Sequence, residues 1–580
     1  MSPTRILEHF ERISDAPDAV PRLRRFILDL AARGRLVEQD PKDEPASELL
    51  KRVLAEKAAS GKGVRQPALP LPGDEDAPFG IPGSWHWVRL SDITSYIQRG
   101  KSPQYAAGAG LPVVSQKCVQ WSGLDLAAAR RITRESITAY EDVRHLRDGD
   151  LLWNSTGTGT IGRIIRVGNP PPRLVCDSHV TVVRCLGVEP EYVRSWLRSD
   201  HVYGVIEDRA AGSTNQVELT SQMAHAQVVP LPPLAEQHRI VAKVDELMAL
   251  CDRLEAAQTE RETRRDRLVA ASLNRLNEPA SDADTSPSSF RDHARFHLRH
   301  LPRLTTRPEH IHQLRQMILN LAVRGRLVPQ DPTDEPASEL LAGIQQQRTR
   351  LLELGLPNES EASTQLRKQQ TQSLPTGLGQ LPQGWEWATL MQCTALVVDC
   401  HNKTAPYSKG GIILLRTTNV RDGGLNLNEP KFVDEETYAR WSARCKPEPG
   451  DLLITREAPM GEICIIPPGM RVCLGQRMML ARLVPRTIVP KFMLYSLRDP
   501  HLMDRVQDKP VGATVQHLRV GGIETLLIPL PPLAEQHRIV AKVDELMVLC
   551  DRLEAQLITT QTESRRLLEA VLHQALTPVA

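Results

Sequence analysis

Pro230–Ala256 reads PLPPLAEQHRIVAKVDELMALCDRLEA, and Pro529–Ala555 reads PLPPLAEQHRIVAKVDELMVLCDRLEA. The two differ only at Ala249 against Val548. Near-identity over such a length excludes chance, so the chain is a tandem duplication. Its period, about 300 residues, is too long for a solenoid or propeller repeat. Two whole modules therefore lie in one chain, and the functional question is why there are two.

The repeated stretch reads as a helix start followed by an apolar seam. Pro233 suits a first helical position, where the missing N–H costs nothing. Glu236 puts negative charge in the first turn, which the helix dipole favours. Ile240, Val244, Leu247, Cys251 and Leu254 then recur at alternating spacings of four and three. That is the pattern of a coiled-coil seam. The second copy repeats it with Ile539, Val543, Leu546, Cys550 and Leu553. No proline interrupts the first copy before Pro279, so the helix is expected to run about forty residues, roughly 65 Å at the usual rise. Each stripe needs a partner. The pattern predicts a coiled coil between the two copies, with packing on the module's own domain as the alternative. Because the seams nearly coincide, a fragment of residues 1–290 is expected to pair with a second copy of itself.

Composition narrows the class. A chain of 580 residues with 41% hydrophobic and 24% charged residues reads as an ordinary multidomain globular protein. No apolar run approaches a membrane span, and MSPTRILEHFERISD lacks a signal-peptide core. The ten cysteines form no CxxC pair, so neither a zinc site nor a disulfide framework is indicated. Reduced thiols and a cytoplasmic location are expected. The net charge of +2 makes any nucleic-acid surface local rather than global.

The modules share an order. Leu23, Ile27 and Leu30 fall on one helical face, Gly34 is a stop, and Pro45 can open the next helix. Leu23–Leu50, LRRFILDLAARGRLVEQDPKDEPASELL, returns as Leu314–Leu341, LRQMILNLAVRGRLVPQDPTDEPASELL. Trp85 with Trp87, and Trp385 with Trp387, open two central domains and are expected in their cores. Short runs predict strands at 111–115, 150–154, 161–167 and 180–185, and a helix at 190–197. The corresponding runs in the second copy are 412–417, 451–455, 463–466 and 489–497. Residues 279–289 and 355–383 read as polar linkers. The boundaries are 1–81 for a helical segment and linker, 82–231 for the first central domain and 232–278 for its long helix. In the second copy they are 279–381, 382–530 and 531–577. The central domains differ far more than their flanks, though Gly149-Asp150-Leu151-Leu152 and Gly450-Asp451-Leu452-Leu453 recur, as do Gly212 and Gly512. A duplicated frame carrying divergent inserts suggests one scaffold holding two different readers.

Three motifs tempt and fail. Gly157–Gly162 fits GxGxxG, but a dinucleotide site needs a helix to begin there, and Arg163–Val167 reads as a strand. Gly100-Lys101-Ser102 resembles the end of a phosphate-binding loop whose first glycine would fall at Ser95. Asn169-Pro170-Pro171 lacks the aromatic residue that amino-methyltransferases place next. No metal cluster and no nucleophile-plus-base pair appears, so neither a metal nor a cofactor is expected.

What remains is a set of polar side chains able to contact bases and phosphates. In the first domain they are Arg99, Lys101, Gln104, Gln116, Lys117, Asn154, Ser155, Thr156, Thr158, Asn215 and Gln216. In the second they are His401, Asn402, Lys403, Arg416, Asn419, Arg421, Arg456, Arg477, Gln516 and His517. Singly, each reads as a solvated loop residue. Together, on two divergent domains, they suggest a DNA-binding surface.

The chain resembles the specificity (S) subunit of Type I restriction–modification systems. PLPPLAEQHRIV at Pro230–Val241 and Pro529–Val540 carries the resemblance. GDLL at Gly149 and Gly450, GSTNQ at Gly212–Gln216, GATVQ at Gly512–Gln516 and LDLAARGRL at Leu28–Leu36 support it. The resemblance spans nearly the whole chain. It implies an α+β fold in which two target-recognition domains are separated by two long helices forming an antiparallel coiled coil, with pseudo-two-fold internal symmetry. It implies a bipartite, asymmetric target in double-stranded DNA. Two methyltransferase (M) subunits would carry S-adenosylmethionine, and two restriction (R) subunits would translocate and cut DNA with ATP. The chain itself would be a non-catalytic subunit. Recognition domains vary by nature, so no base-contacting residue is carried over. The competing readings are a fused methyltransferase, a coiled-coil interaction scaffold and a stand-alone sequence-specific DNA-binding protein.

Overall fold

The computed structural model describes residues 16, 18–59, 70–106, 108, 110–157, 159–206, 218–277, 287–401, 403–507 and 517–576. They form two units, residues 1–262 with 561–580 and residues 263–560. Each unit holds one module and is completed by the distal end of the other module's long helix.

In the first unit the chain begins with helices Ala19–Ala32 and Ala46–Ala59. Gly34, at φ +65°, ends the first of them in the left-handed region that glycine adopts without strain. Strand His86–Arg89 then pairs with Val228–Leu231, so the strand-rich region closes on itself, Trp87 opposite Pro230. Between these ends lies an antiparallel sheet in the order Thr94–Arg99, Val180–Cys185, Leu151–Asn154, Ile164–Arg166. A smaller sheet sets Leu111–Val114 between Arg130–Ile132 and Val175–Cys176, the latter pair parallel. Helix Pro190–Leu197 packs on the larger sheet, its proline at the first helical turn.

The second unit repeats this plan. Glu386–Thr389 pairs with Leu527–Leu530, and the larger sheet runs Leu396–Asp399, Met478–Arg482, Leu452–Thr455, Ile463–Ile465. The smaller one places Ile412–Leu415 between Lys431–Val433 and Val472–Leu474. Helix Pro490–Leu497 matches Pro190–Leu197. The fold is therefore α+β, with short strands and helices in two strand-rich regions and long helices after each.

The stretch 355–383 is not the linker its Gln, Ser and Pro content suggests. It contains helix Glu359–Gln370, which Asn358 caps by accepting from the Glu361 N–H. Gln365, fully buried, donates to the Val397 carbonyl and so ties this helix to the outer strand of the sheet. Helix Pro287–Leu304 likewise takes in the end of the expected 279–289 linker.

The long helices run Leu234–Asn277 and Leu533–Leu576, 44 residues each. Within its own unit, each seam packs into the module's main apolar cluster. Ile240, Val244 and Cys251 are buried with Ile27, Leu28 and Ala31, and Leu247 and Leu254 lie against them half-buried. Ile539, Val543 and Cys550 are buried in the same way with Leu314, Met317 and Ile318. Arg24 reaches Asp252 and Glu255 beside the first seam, and Arg315 reaches Asp551 and Glu554 beside the second. The proximal seam thus takes its own module's leading helix as a partner, the packing that the heptad pattern alone offers only as the alternative to a coiled coil between the copies. No helix among the described residues is long and apolar enough to cross a membrane.

Candidate nucleic-acid interface

The joint carrying each strand-rich region explains the repeated PLPPLAEQHR. The Trp85 indole N–H donates to Glu236 at 2.9 Å, and Trp385 donates to Glu535 at 3.0 Å. Gln237 accepts from the Glu189 N–H and donates to the Pro232 carbonyl, both at 2.9 Å. Gln536 does the same with Val489 and Pro531, both at 3.0 Å. Arg239 pairs with Asp43, and Arg538 with Asp334, at 2.6 Å each. One helical turn therefore fastens the first tryptophan, the helix start near 190 or 490 and the leading segment. Burial pushes the carboxyls of Glu236 and Glu535 above their usual range, against the pull of the indole hydrogen bond.

The GDLL entry has an equally local cause. Gly149 and Gly450 sit at φ +85° and +93°, where a side chain is strained. The next residue, Asp150 or Asp451, is buried and takes Arg184 or Arg482 in a two-pronged pair at 2.7 Å or 2.8 Å. This pair holds the middle strand of the larger sheet to its neighbour.

Beyond those anchors the wiring changes. Both regions keep a hydrogen bond from a returning leucine to the end of that strand, Leu219 N–H to Ser155 and Leu518 N–H to Arg456. At this corner the first region pairs Arg99 with Glu218. The second pairs Arg456 with Asp399 at 3.1 Å. The charge at the end of the outer strand is reversed, and its partner comes from the returning segment, at Glu218, in one region and from just past the inner strand, at Arg456, in the other.

The candidate residues divide by burial. Lys117 and Gln104 are exposed, Lys101 and Gln116 half-buried, and Lys101 lies 3.4 Å from Glu141. Asn154, Ser155 and Thr156 are buried and hold the turn: Asn154 donates to the carbonyls of Gln116 and Thr160, Ser155 meets Thr181, and Thr156 meets His179. Arg99 is held by the Ser178 carbonyl as well as by Glu218. In the second region Lys403 is exposed, and Arg477 is half-exposed beside Glu457. His401 stacks on Trp441 with ring centroids 4.5 Å apart. Asn419 is buried and holds its own loop through Arg416 N–H and the Asn426 carbonyl. Arg416 and Arg421 are half-buried and donate to nearby carbonyls. His517 is half-buried. Thr158, Asn215, Gln216, Asn402 and Gln516 lie outside the described residues, as do Gly212 and Gly512.

Polar character alone misses the exposed rings. Tyr105 is 38% exposed under the Arg130 guanidinium, Trp121 is 41% exposed beside Arg198, and Tyr407 is 54% exposed near Lys431. In a chain with 4% aromatic residues, a ring among Gly- and Pro-rich turns was the available signal. Cations, rings and amides together can meet both phosphates and base edges.

The tempting motifs take structural roles. Gly159–Gly162 forms a turn into strand Ile164–Arg166, not into a helix. Gly100 lies against the Cys176 and Asp177 carbonyls, where a Cβ would collide. Among the described residues no group of three or more His, Cys, Asp or Glu is placed to hold a metal ion.

Residues 427–560 match the family described as Type I restriction modification DNA specificity domain. The chain is 28% identical to the EcoAI specificity subunit of Escherichia coli, over 96% of this chain and 94% of that one. It is 27% identical to the EcoEI specificity subunit of the same organism, with the same coverage. These relatives are specificity subunits of Type I restriction enzymes, and no catalytic family is indicated. Among solved structures, the HsdS subunit from Thermoanaerobacter tengcongensis aligns with 86% of this chain and 98% of its own, at 19% identity and a TM-score of 0.40.

Proposed function

We propose, taking as premise that the chain belongs to the family of Type I restriction–modification specificity subunits, that it reads a bipartite, asymmetric sequence in double-stranded DNA. Each strand-rich region reads one half of the target. The long helices act as the spacer, and the chain positions two methyltransferase and two restriction subunits without chemistry of its own. Its place of action is the cytoplasm. The observation that supports this reading most is the corner where Arg99–Glu218 in one region is replaced by Asp399–Arg456 in the other. A duplicated frame held by identical joints, with charges rearranged at the loop ends, suits two readers of different sequence. Exposed Lys117, Gln104, Lys403 and Tyr407 supply phosphate and base contacts, while buried Asn154 and Asn419 shape the loops that carry them.

The test is reconstitution with the methyltransferase subunits, followed by methylome sequencing. The expected result is adenine methylation within a split, non-palindromic target, with no methylation or cleavage by this chain alone. An undivided target, or turnover by the chain alone above a contaminant control, contradicts the proposal.

A further inference from the structure

We propose that the distal end of each long helix is keyed by charge to the leading helix of the other module, so that unlike modules join and like modules do not. The proximal seams cannot make this distinction, because they are nearly identical. The distal ends can.

In the second unit, Asp266 near the end of the first long helix accepts from Arg307 and, at 2.9 Å, from His310, which is buried. Together Arg307 and His310 hold the Asp266 carboxyl below its usual range. Ser272 meets His297 at 2.6 Å, and Val269, Leu273 and Leu276 are buried in one cluster with Leu304 and Ile311. In the first unit the polarity is reversed. Arg565 near the end of the second long helix lies 3.7 Å from Asp18, and Glu569 lies 3.9 Å from Arg22. Arg35 donates to the Leu576 carbonyl at 2.7 Å, and Leu568 and Val571 are buried with Ala16 and Ala19.

These joints occupy equivalent positions. The long helices have equal length and begin at the same point of the repeat, so Asp266 matches Arg565 and Ala270 matches Glu569. The leading helices align through LRRFILDL and LRQMILNL. Arg307 therefore matches Ala16, His310 matches Ala19, Glu309 matches Asp18 and Gln313 matches Arg22. If like modules joined, Asp266 would lose both cations and face Asp18. Arg565 would keep an acid at Glu309 but meet Arg307 and His310 beside it. Glu569 would face Gln313. Charges flanking an apolar seam select partners by attraction in the right pair and repulsion in the wrong one. The consequence is an enforced asymmetry: the two strand-rich regions of one assembly are always different. A half-chain is thus expected to favour its unlike half over a copy of itself, contrary to what the seams alone predict.

The test uses the full chain with a protease site placed within 279–286. The folded protein is cut, its halves are allowed to exchange, and native mass spectrometry counts the pairs. The wild type should return unlike pairs in an excess of about tenfold or more. Asp266→Arg with Arg565→Asp leaves composition and net charge unchanged. It should invert the outcome, because in like pairs the introduced arginine would face Asp18 and the introduced aspartate would face Arg307 and His310. A statistical mixture from the wild type, or unlike pairs still dominant in the exchanged variant, overturns the proposal. In the uncut chain the same double variant should lower Tm, and adding Arg307→Asp with Asp18→Arg should restore most of the loss. A Tm indifferent to either step also overturns it.

Discussion

The strand-rich regions at 86–231 and 386–530 share their anchors and differ in their corners. Trp85–Glu236 recurs as Trp385–Glu535, and Asp150–Arg184 recurs as Asp451–Arg482. Arg99–Glu218 does not recur; its place is taken by Asp399–Arg456. What duplication preserved holds each region in place and keeps its sheet together. What diverged lies at the loop ends, where a ligand would meet the domain. On the proposed reading, the contrast separates residues that carry stability from those that would carry recognition.

The largest stability loss should come from the shared anchors. Asp150→Ala leaves the largely buried Arg184 guanidinium without its acid, which costs about 3–5 kcal/mol; Asp451→Ala should cost less, because Arg482 keeps Glu448 at 3.2 Å. Each should unfold its own sheet first, measurable by hydrogen exchange strand by strand. Equal loss of protection in both regions would break the comparison. Gln237→Ala comes next. It strips the Glu189 N–H and the Pro232 carbonyl of a buried partner, at about 1–3 kcal/mol, and Gln536→Ala should match it. Urea titration of both variants checks that equivalence.

Glu236→Gln is a smaller and more diagnostic change. The folded-state pKa of this carboxyl is raised by burial above 4.5. The folded protein therefore holds the proton more tightly than the unfolded chain. The contribution to stability is most favourable below the unfolded value and falls as pH rises through the folded one. The glutamine keeps an acceptor for the Trp85 indole and removes the charge. Stability near neutral pH should hold or rise, by less than about 1 kcal/mol, and the fall above pH 4.5 should shrink. A steeper fall in the variant would contradict the assignment. The smallest effect belongs to the one difference within the repeat. Ala249 and Val548 are both exposed, so exchanging them should shift stability by less than about 0.5 kcal/mol.

The sequence discloses the frame more readily than the corners. A helix that runs from Leu234 without a proline has one plausible course, and 180–185 and 190–197 are bounded by charge and Pro signals that coincide with the elements observed. Helix Glu359–Gln370 hides in a Gln- and Ser-rich stretch because it is fastened through Gln365, which donates to the Val397 carbonyl of the sheet and accepts from Arg348 of the preceding helix, rather than through a long apolar stripe. Asn154 and Ser155 look like reading residues because they are polar and follow a strand. They are buried because that strand lies inside the sheet and its turn folds back over them. The partner of Asp150 comes 34 residues later, a separation that no local pattern reveals. Side-chain chemistry thus lists what could touch DNA, and only the fold says which of those groups remain available to do so.

The most direct test of the proposed two independent readers is a chimera in which residues 90–225 are replaced by the matching segment of the EcoAI specificity subunit, keeping Trp85, Trp87 and PLPPLAEQHR. Assembled with the same methyltransferase subunits and mapped by methylome sequencing, it should methylate a target with one half changed and the other unchanged, at an unaltered spacing. A change in both halves, or in the spacing alone, would contradict the account.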